Sequence, residues 1–188
     1  KNNSYWIDSL PLGSYYWKVI AKNKYSHNTG FNSKNNFNLR KGTVLDKRII
    51  KKTVLSKKNS PYRVIGDLII DSSANIVIEK GVTILMGEES KINCKANFRA
   101  NGTKNNPIYI LPIDPDKSFN SINFFKCDVY INNTNIKDGL INSKNSNFKI
   151  DSSNFTIKNR QMEFGDKRPA IIWVWRGSAT INNISLKG

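Results

Sequence analysis

Two tryptophans and an arginine near the end of the sequence have the types and spacing for saccharide binding. In the segment IIWVWRGS, Trp173 and Trp175 alternate onto one face of an expected strand, and Arg176 follows them. Exposed paired indoles can stack on sugar rings, and a guanidinium can bind an acidic group. Alternatively, both rings pack beneath a long loop, for which 159–168 is the candidate. Both interpretations are open at this point.

Carboxylates offer a second kind of chemistry. Asp114 and Asp116 form the densest acidic site, and carboxylate oxygens are ligands that Ca²⁺ prefers. The simpler interpretation is a polar turn with Pro115 at its corner. A polysaccharide lyase would need paired carboxylates, or a calcium cluster with an Arg or Lys base. The other acidic residues are mostly isolated, so we lean towards a chain without catalytic residues and expect no cofactor.

The single histidine offers little chemistry. His27 falls in a polar segment, NKYSHNTG, and no carboxylate, cysteine or second histidine lies near it in sequence. A lone histidine can act as a base or a metal ligand. Without such neighbours, we interpret His27 as an exposed turn residue.

Positive charge limits the choice of partner. The chain has 30 Lys and Arg against 14 Asp and Glu, a net charge of +16. Such a charge attracts polyanions in general, among them nucleic acid, teichoic acid, acidic polysaccharide and anionic membrane. A proteome rich in Lys and Asn would also produce it. We expect an acidic glycan rather than nucleic acid, and no membrane span, because no stretch approaches the ~20 apolar residues required.

The elements that must position these residues are strands. No apolar stripe with helical spacing is sustained over three turns, so we expect an all-β chain. In SYYWKVIAK, the residues Tyr15, Trp17 and Val19 alternate onto one inner face. A polar turn and the segment FNSKNNFNLR follow, which together predict a β-hairpin.

The string LPLGSYYWKVIA resembles the late strands of bacterial fibronectin type III and Ig-like domains. This resemblance implies that Tyr15 is at the tyrosine corner and that Trp17 and Val19 are core residues. It covers only the last two or three strands of a seven-strand sandwich. We therefore expect 1–40 to be the end of such a domain, with the rest in chain outside this sequence. The chain also begins without Met, which is typical of the interior of a longer protein.

Residues 41–59 are predicted to be a basic linker or a cap on the next domain. The apolar pairs at 44–45, 49–50 and 54–55 recur every five residues, a spacing that fits neither a helix nor one long strand. Two short strands covering the next domain would fit, and so would a polyanion-binding strip with salt-dependent attraction. We favour the connector.

From residue 60 the sequence predicts a stacked repeat. The segments NFRANGT, DVYINNT, NFKIDSS and SATINNI superpose without gaps, each with two apolar residues two positions apart. Their spacing fits one circuit of a repeat that buries its apolar face only by stacking. Asn suits the corners because it tolerates left-handed backbone, and stacked amides can form ladders. The predicted inner pairs are Phe98 and Ala100, Val129 and Ile131, Phe148 and Ile150, and Ala179 and Ile181.

The segment SPYRVIGDLIIDSSANIVIEKGVTILMG resembles the first coil of secreted bacterial parallel β-helices, with Lys80 where a Pro is usual. We therefore predict a right-handed parallel β-helix of about five coils over 60–188, and we expect it to be truncated. In such a helix, stacking could bring Cys94 near Cys127. A disulfide and two buried thiols are both open.

The order of these parts resembles the stalk regions of large surface proteins, including those with a CotH-type kinase domain. The kinase signature is absent, so no kinase residues carry over. We predict a non-catalytic structural or adhesive segment, secreted or on the cell surface, whose partners are the flanking domains of its own chain. The alternatives are a carbohydrate-binding module for acidic polysaccharide and a polysaccharide lyase-like enzyme.

Overall fold

The computed structural model describes residues 13–17, 20–22, 28–30, 35–39, 41–158 and 171–187. These residues form strands and one short 3₁₀-helix, Lys57–Asn59, with no α-helix among them. The all-β prediction is therefore confirmed for the described residues. The chain divides into two compact units, Lys1–Lys41 and Gly42–Gly188.

The described part of the first unit consists of two antiparallel strand pairs. Its strands are β1 (Gly13–Trp17), β2 (Ile20–Lys22), β3 (Asn28–Gly30) and β4 (Asn35–Leu39). β1 pairs with β4, and β2 pairs with β3.

The residues predicted to form the core of this unit are only partly described. Tyr15 is half-buried, and Trp17 is exposed. Val19 and His27 lie outside the described residues. The partial sandwich domain expected for 1–40 stays a prediction.

The second unit, which we call the three-sheet unit, contains all of the remaining described strands. They are β5 (Thr43–Val44), β6 (Arg48–Ile49), β7 (Lys52–Leu55), β8 (Tyr62–Val64), β9 (Leu68–Ile70), β10 (Asn75–Ile78), β11 (Thr83–Met86), β12 (Lys91–Cys94), β13 (Asn97–Asn101), β14 (Ile108–Pro112), β15 (Ser121–Phe125), β16 (Asp128–Asn132), β17 (Thr134–Lys137), β18 (Leu140–Lys144), β19 (Asn147–Asp151), β20 (Asn154–Thr156), β21 (Ile172–Trp175), β22 (Ser178–Asn182) and β23 (Ser185–Lys187).

These strands form three parallel sheets that the chain visits in turn. The first sheet has the order β7-β10-β13-β16-β19-β22, the second β5-β8-β11-β14-β17-β20-β23, and the third β6-β9-β12-β15-β18-β21. Each circuit of the chain adds one strand to each sheet. The segment 43–55 supplies the first strand of all three. This arrangement is compatible with the predicted parallel β-helix.

The core forms because equivalent side chains stack between successive strands. The four aligned segments are neighbours in the first sheet, where Phe98 pairs with Val129 and Ala100 pairs with Ile131. Phe148 and Ile150 continue the two rows and are buried. Buried apolar residues alternate with more exposed ones in strands such as β13 and β19, since successive side chains point to opposite faces. The inner faces of all three sheets therefore form one apolar cluster.

The two rows end at β22 in the described structure. Ala179 lies beside Phe148, and Ile181 lies beside Ile150. Both are exposed, Ile181 to 43%, whereas Ile150 is fully buried. Their register is that of core residues, but β22 has a sheet neighbour on one side only.

The corners between sheets use left-handed backbone. Residues with positive φ connect the third sheet to the first at Lys126, Asn145 and Arg176, and the first to the second at Asn133, Ser152 and Asn183. Asparagine is enriched in this region because its short polar side chain tolerates it. Half of these six corners follow that preference, and Arg176 does not.

Ile150 and Ile181 provide a matched test of the stacked core, because they are adjacent in one row and differ in burial. Ile150→Ala leaves a cavity, so we expect it to lower the free energy of unfolding by about 2–5 kcal/mol. Ile181→Ala removes a side chain that is already partly in water, and we expect a loss below about 1 kcal/mol. Urea denaturation of this chain measures both, and equal losses would contradict the register.

Candidate functional site

The indoles of Trp173 and Trp175 project from the outer face of the third sheet. Ile172 and Val174 pack against the apolar cluster, so the alternation of β21 directs the two tryptophans outward. Their ring centroids lie 6.0 Å apart with an interplanar angle of 24°. Trp175 is 37% exposed, and Trp173 is half-buried. The loop 159–168, which could cover them, lies outside the described residues.

Two cations lie over the indole of Trp175. Lys144 is the register partner of Trp175 on β18, and its Nζ lies 4.3 Å from the ring centroid. The guanidinium carbon of Arg176 lies 4.5 Å from the same centroid. At these distances a cation is attracted by the ring quadrupole. The sequence predicts Arg176 here but misses Lys144, whose position depends on the pairing of β18 with β21.

The corner after β21 is what places Arg176 beside the ring. Arg176 has a φ of 51°, and the N–H of Asn145, at the corner below, donates to the carbonyl of Trp175 at 2.9 Å. A Cβ on Gly177 would lie 2.2 Å from the carbonyl oxygen of Ser146. Glycine at 177 therefore permits the close approach of the two corners.

A ladder of side-chain amides leads to the tryptophans. The Nδ2 of Asn142 donates to the Oδ1 of Asn123 at 2.8 Å, and the Nδ2 of Asn123 donates to the Oδ1 of Asn93 at 2.8 Å. Trp173 occupies the next position in this row, since it pairs with Asn142. The sequence predicts amide ladders after the inner pairs, at the corners; this one lies on a strand face.

A repeated dipeptide is the sequence signal that could have located the ladder. Ile-Asn occurs at 131–132 and 181–182 on the first sheet. On the third sheet it occurs at 92–93, 122–123 and 141–142, and Ile-Trp takes its place at 172–173. In each of these third-sheet dipeptides the isoleucine belongs to the inner face of the sheet and the next residue to its outer face.

The two tryptophans and two of the ladder asparagines line a surface groove of about 240 Å³. We call it the third-sheet groove, and its lining residues are Asn123, Phe124, Phe125, Asn142, Lys144, Trp173 and Trp175. Three consecutive strands, β15, β18 and β21, contribute to it. The groove combines aromatic surface, amide groups and one ammonium, a combination that suits a ligand with apolar ring faces and polar edges.

The cations beside the groove lack carboxylate partners in the described part of the chain. Ion pairs join Arg48 to Asp71, Lys117 to Glu88 and Lys137 to Asp138, but none involves Lys144 or Arg176. Among the described residues, no carboxylate therefore neutralises either charge.

Asp114 and Asp116 lie away from this groove, in an exposed turn after β14. The N–H of Asp116 donates to the Oδ1 of Asp114 at 3.0 Å, and the N–H of Lys117 donates to the carbonyl of Asp114 at 3.1 Å. Among the described residues no cluster of three or more His, Cys, Asp or Glu could hold a metal ion. The hydrogen bonds are those of the polar-turn interpretation, and calcium binding stays a prediction.

The two cysteines are free thiols and both are buried. The Sγ of Cys127 lies 3.8 Å from the carbonyl oxygen of Cys94 and 3.8 Å from the Oγ of Ser146. The Sγ of Cys94 donates to the carbonyl oxygen of Ala96 at 3.2 Å. Interaction with the Cys94 side chain lowers the pKa of Cys127 to about 7. Interaction with Cys127, followed by burial, raises the pKa of Cys94. Of the two alternatives from the sequence, the structure has the buried thiols.

The fold and the site together define an all-β protein with three parallel sheets and an aromatic groove flanked by cations. Comparison with protein families, curated proteins and solved structures finds no match to this chain. The resemblances to fibronectin type III domains, secreted β-helices and CotH-type stalks therefore gain no support from known proteins. No helix among the described residues is long and apolar enough to cross a membrane.

The thiol pair gives a pH-dependent prediction. The thiolate is the reactive form of cysteine, so alkylation of Cys127 in the folded protein should accelerate with a midpoint near pH 7. Cys94→Ala removes the neighbouring thiol that lowers the Cys127 pKa and should move that midpoint upward, towards the ordinary value of 9.0. Peptide mass spectrometry after iodoacetamide pulses measures the rate. An unchanged midpoint in Cys94→Ala would show that Cys94 does not lower the pKa of Cys127.

Proposed function

We propose that this chain is a non-catalytic structural and adhesive segment that binds saccharides through the third-sheet groove. The stacked pair of Trp173 and Trp175, with Lys144 and Arg176 over one indole, is the observation that carries the proposal. Indoles offer flat apolar surface to the C–H faces of sugar rings. The Asn123 and Asn142 amides can exchange hydrogen bonds with sugar hydroxyls.

The three-sheet unit supports the structural part of the proposal. Its strands stack in register around a continuous apolar cluster, so the outer face of the third sheet is held on a closely packed scaffold. Such a scaffold keeps Trp173 and Trp175 at a fixed spacing, which reduces the ordering cost of binding. It could also set the distance between flanking domains of a longer chain.

The finer parts of this proposal come from sequence resemblance. They are the right-handed sense of the β-helix, a length of about five coils, a partial sandwich over 1–40 and a secreted or cell-surface location. The flanking domains of the same chain are its proposed partners. The lyase-like alternative is not favoured, because none of the described residues that line the third-sheet groove is a carboxylate.

Trp175→Ala tests the saccharide site, with Tyr109→Ala as its matched control. Both residues are exposed aromatics at strand positions, 37% and 39% respectively, but Tyr109 lies on the second sheet. Loss of a central aromatic contact should weaken binding at least about tenfold, while the control keeps its affinity. A glycan array followed by calorimetry with the strongest ligand measures both.

Two results would overturn the proposal. One is a folded protein that binds no saccharide on the array. The other is a Trp175→Ala protein that binds as tightly as the unaltered chain.

A further inference from the structure

We infer that the third-sheet groove binds an acidic sugar chain lying across the strands, with a carboxylate or sulfate group at Lys144. This inference rests on the proposed saccharide binding and adds the charge of the ligand and its direction. It follows from the order of side chains along the outer face of the third sheet.

The direction of the ligand follows from which strands line the groove. Residues 123–125, 142–144 and 173–175 come from three neighbouring strands, so the groove runs across them rather than along one. Neighbouring strands lie roughly 4.8 Å apart, and the Asn93 amide continues the same row by one more strand. A chain ligand on this face therefore meets an amide at β12, β15 and β18 and the indole of Trp173 at β21.

The amides have hydrogen-bonding capacity left for such a ligand. A carboxamide has two N–H donors and two acceptor lone pairs. Within the ladder, Asn123 uses one N–H to reach Asn93 and one lone pair to accept from Asn142. One donor and one acceptor site remain on Asn123. Sugar hydroxyls, which donate and accept, are matched to this pattern.

The size of the groove indicates how much of the ligand it encloses. At about 240 Å³ it falls below the ~300–1,000 Å³ of pockets for drug-sized ligands. The groove therefore encloses about one sugar ring, beside the tryptophans and next to Lys144, and the neighbouring sugars lie on the open ladder.

The charge of the ligand follows from Lys144. Its ammonium lines the groove and has no carboxylate partner among the described residues. Contact with the Trp175 ring holds it at the edge of the space that the sugar would fill. A carboxylate or sulfate there makes a charge-assisted hydrogen bond, which is stronger than one from a neutral hydroxyl. Arg176, over the same ring, can meet the acidic group of a neighbouring sugar.

Calorimetric titration of this chain tests the inference. The probes are an oligogalacturonate, the same oligosaccharide with its carboxyl groups methyl-esterified, and a sulfated oligosaccharide of equal length. We expect the methyl ester to bind at least about tenfold more weakly than the acid. Comparing the acid with the sulfated probe shows which acidic group the site takes.

Lys144→Met tests the position of the acidic group, with Lys149→Met as a matched control. Both substitutions remove one positive charge from a lysine over an aromatic ring, but Lys149 lies on the first sheet, 5.8 Å from the Tyr130 ring. We expect Lys144→Met to weaken binding of the acidic probe at least about tenfold. Lys149→Met should change it by less than about twofold, because surface charges are screened. Thermal unfolding of both variants verifies that they are folded.

The outcomes separate this inference from the proposed function. If acid and methyl ester bind equally and both require Trp175, saccharide binding stands and the acidic specificity is overturned. If both lysine variants weaken binding equally, general attraction to the net charge of +16 explains the binding, and the inference is overturned. If none of the three probes binds and no other saccharide does so, the proposed function fails as well.

Discussion

Parallel in-register pairing is the constraint on which the rest of the three-sheet unit depends. Each side chain lies beside its equivalent on the previous strand of the same sheet. On the inner faces, side chains of different sheets also meet across the core, with 5.1 Å between the ring centroids of Phe98 and Phe124 and 6.2 Å between those of Phe124 and Phe148. On the outer faces the same constraint aligns amides into ladders, such as Asn135 with Asn154 on the second sheet. Core and surface are therefore ordered by one geometry.

The candidate site is a local change in this pattern. Along the outer row of the third sheet, three asparagines hydrogen-bond to one another, and then an indole takes the fourth position. The indole cannot continue the ladder, since it has a single N–H donor and no acceptor. A second tryptophan two residues later doubles the aromatic surface. Because the corners between sheets also stack, Arg176 lies over the Trp175 ring, as Lys144 does.

Much of the inner face could be predicted from the sequence, because buried residues repeat with period two and the four segments align without gaps. The residues of the outer face were harder to predict from the sequence. The strands in 43–55 are two to four residues long, and their five-residue spacing hides them. The position of Lys144 depends on pairing between 144 and 175, which the sequence does not reveal. The exposure of Ile181 also could not be predicted, since its pattern is that of a core residue and only its neighbours decide its burial.

The central claim is that a saccharide lies on Trp173, Trp175 and the adjacent amides. NMR of the indole and side-chain amide N–H groups during titration with an oligogalacturonate tests it most directly. The account predicts that the resonances of both tryptophans, Asn123 and Asn142 shift together. The side-chain amide resonance of Asn147, which belongs to a ladder on the first sheet, should not shift. Shifts at Asn147 as large as those at Asn142, or unmoved indoles in the presence of bound ligand, would contradict it.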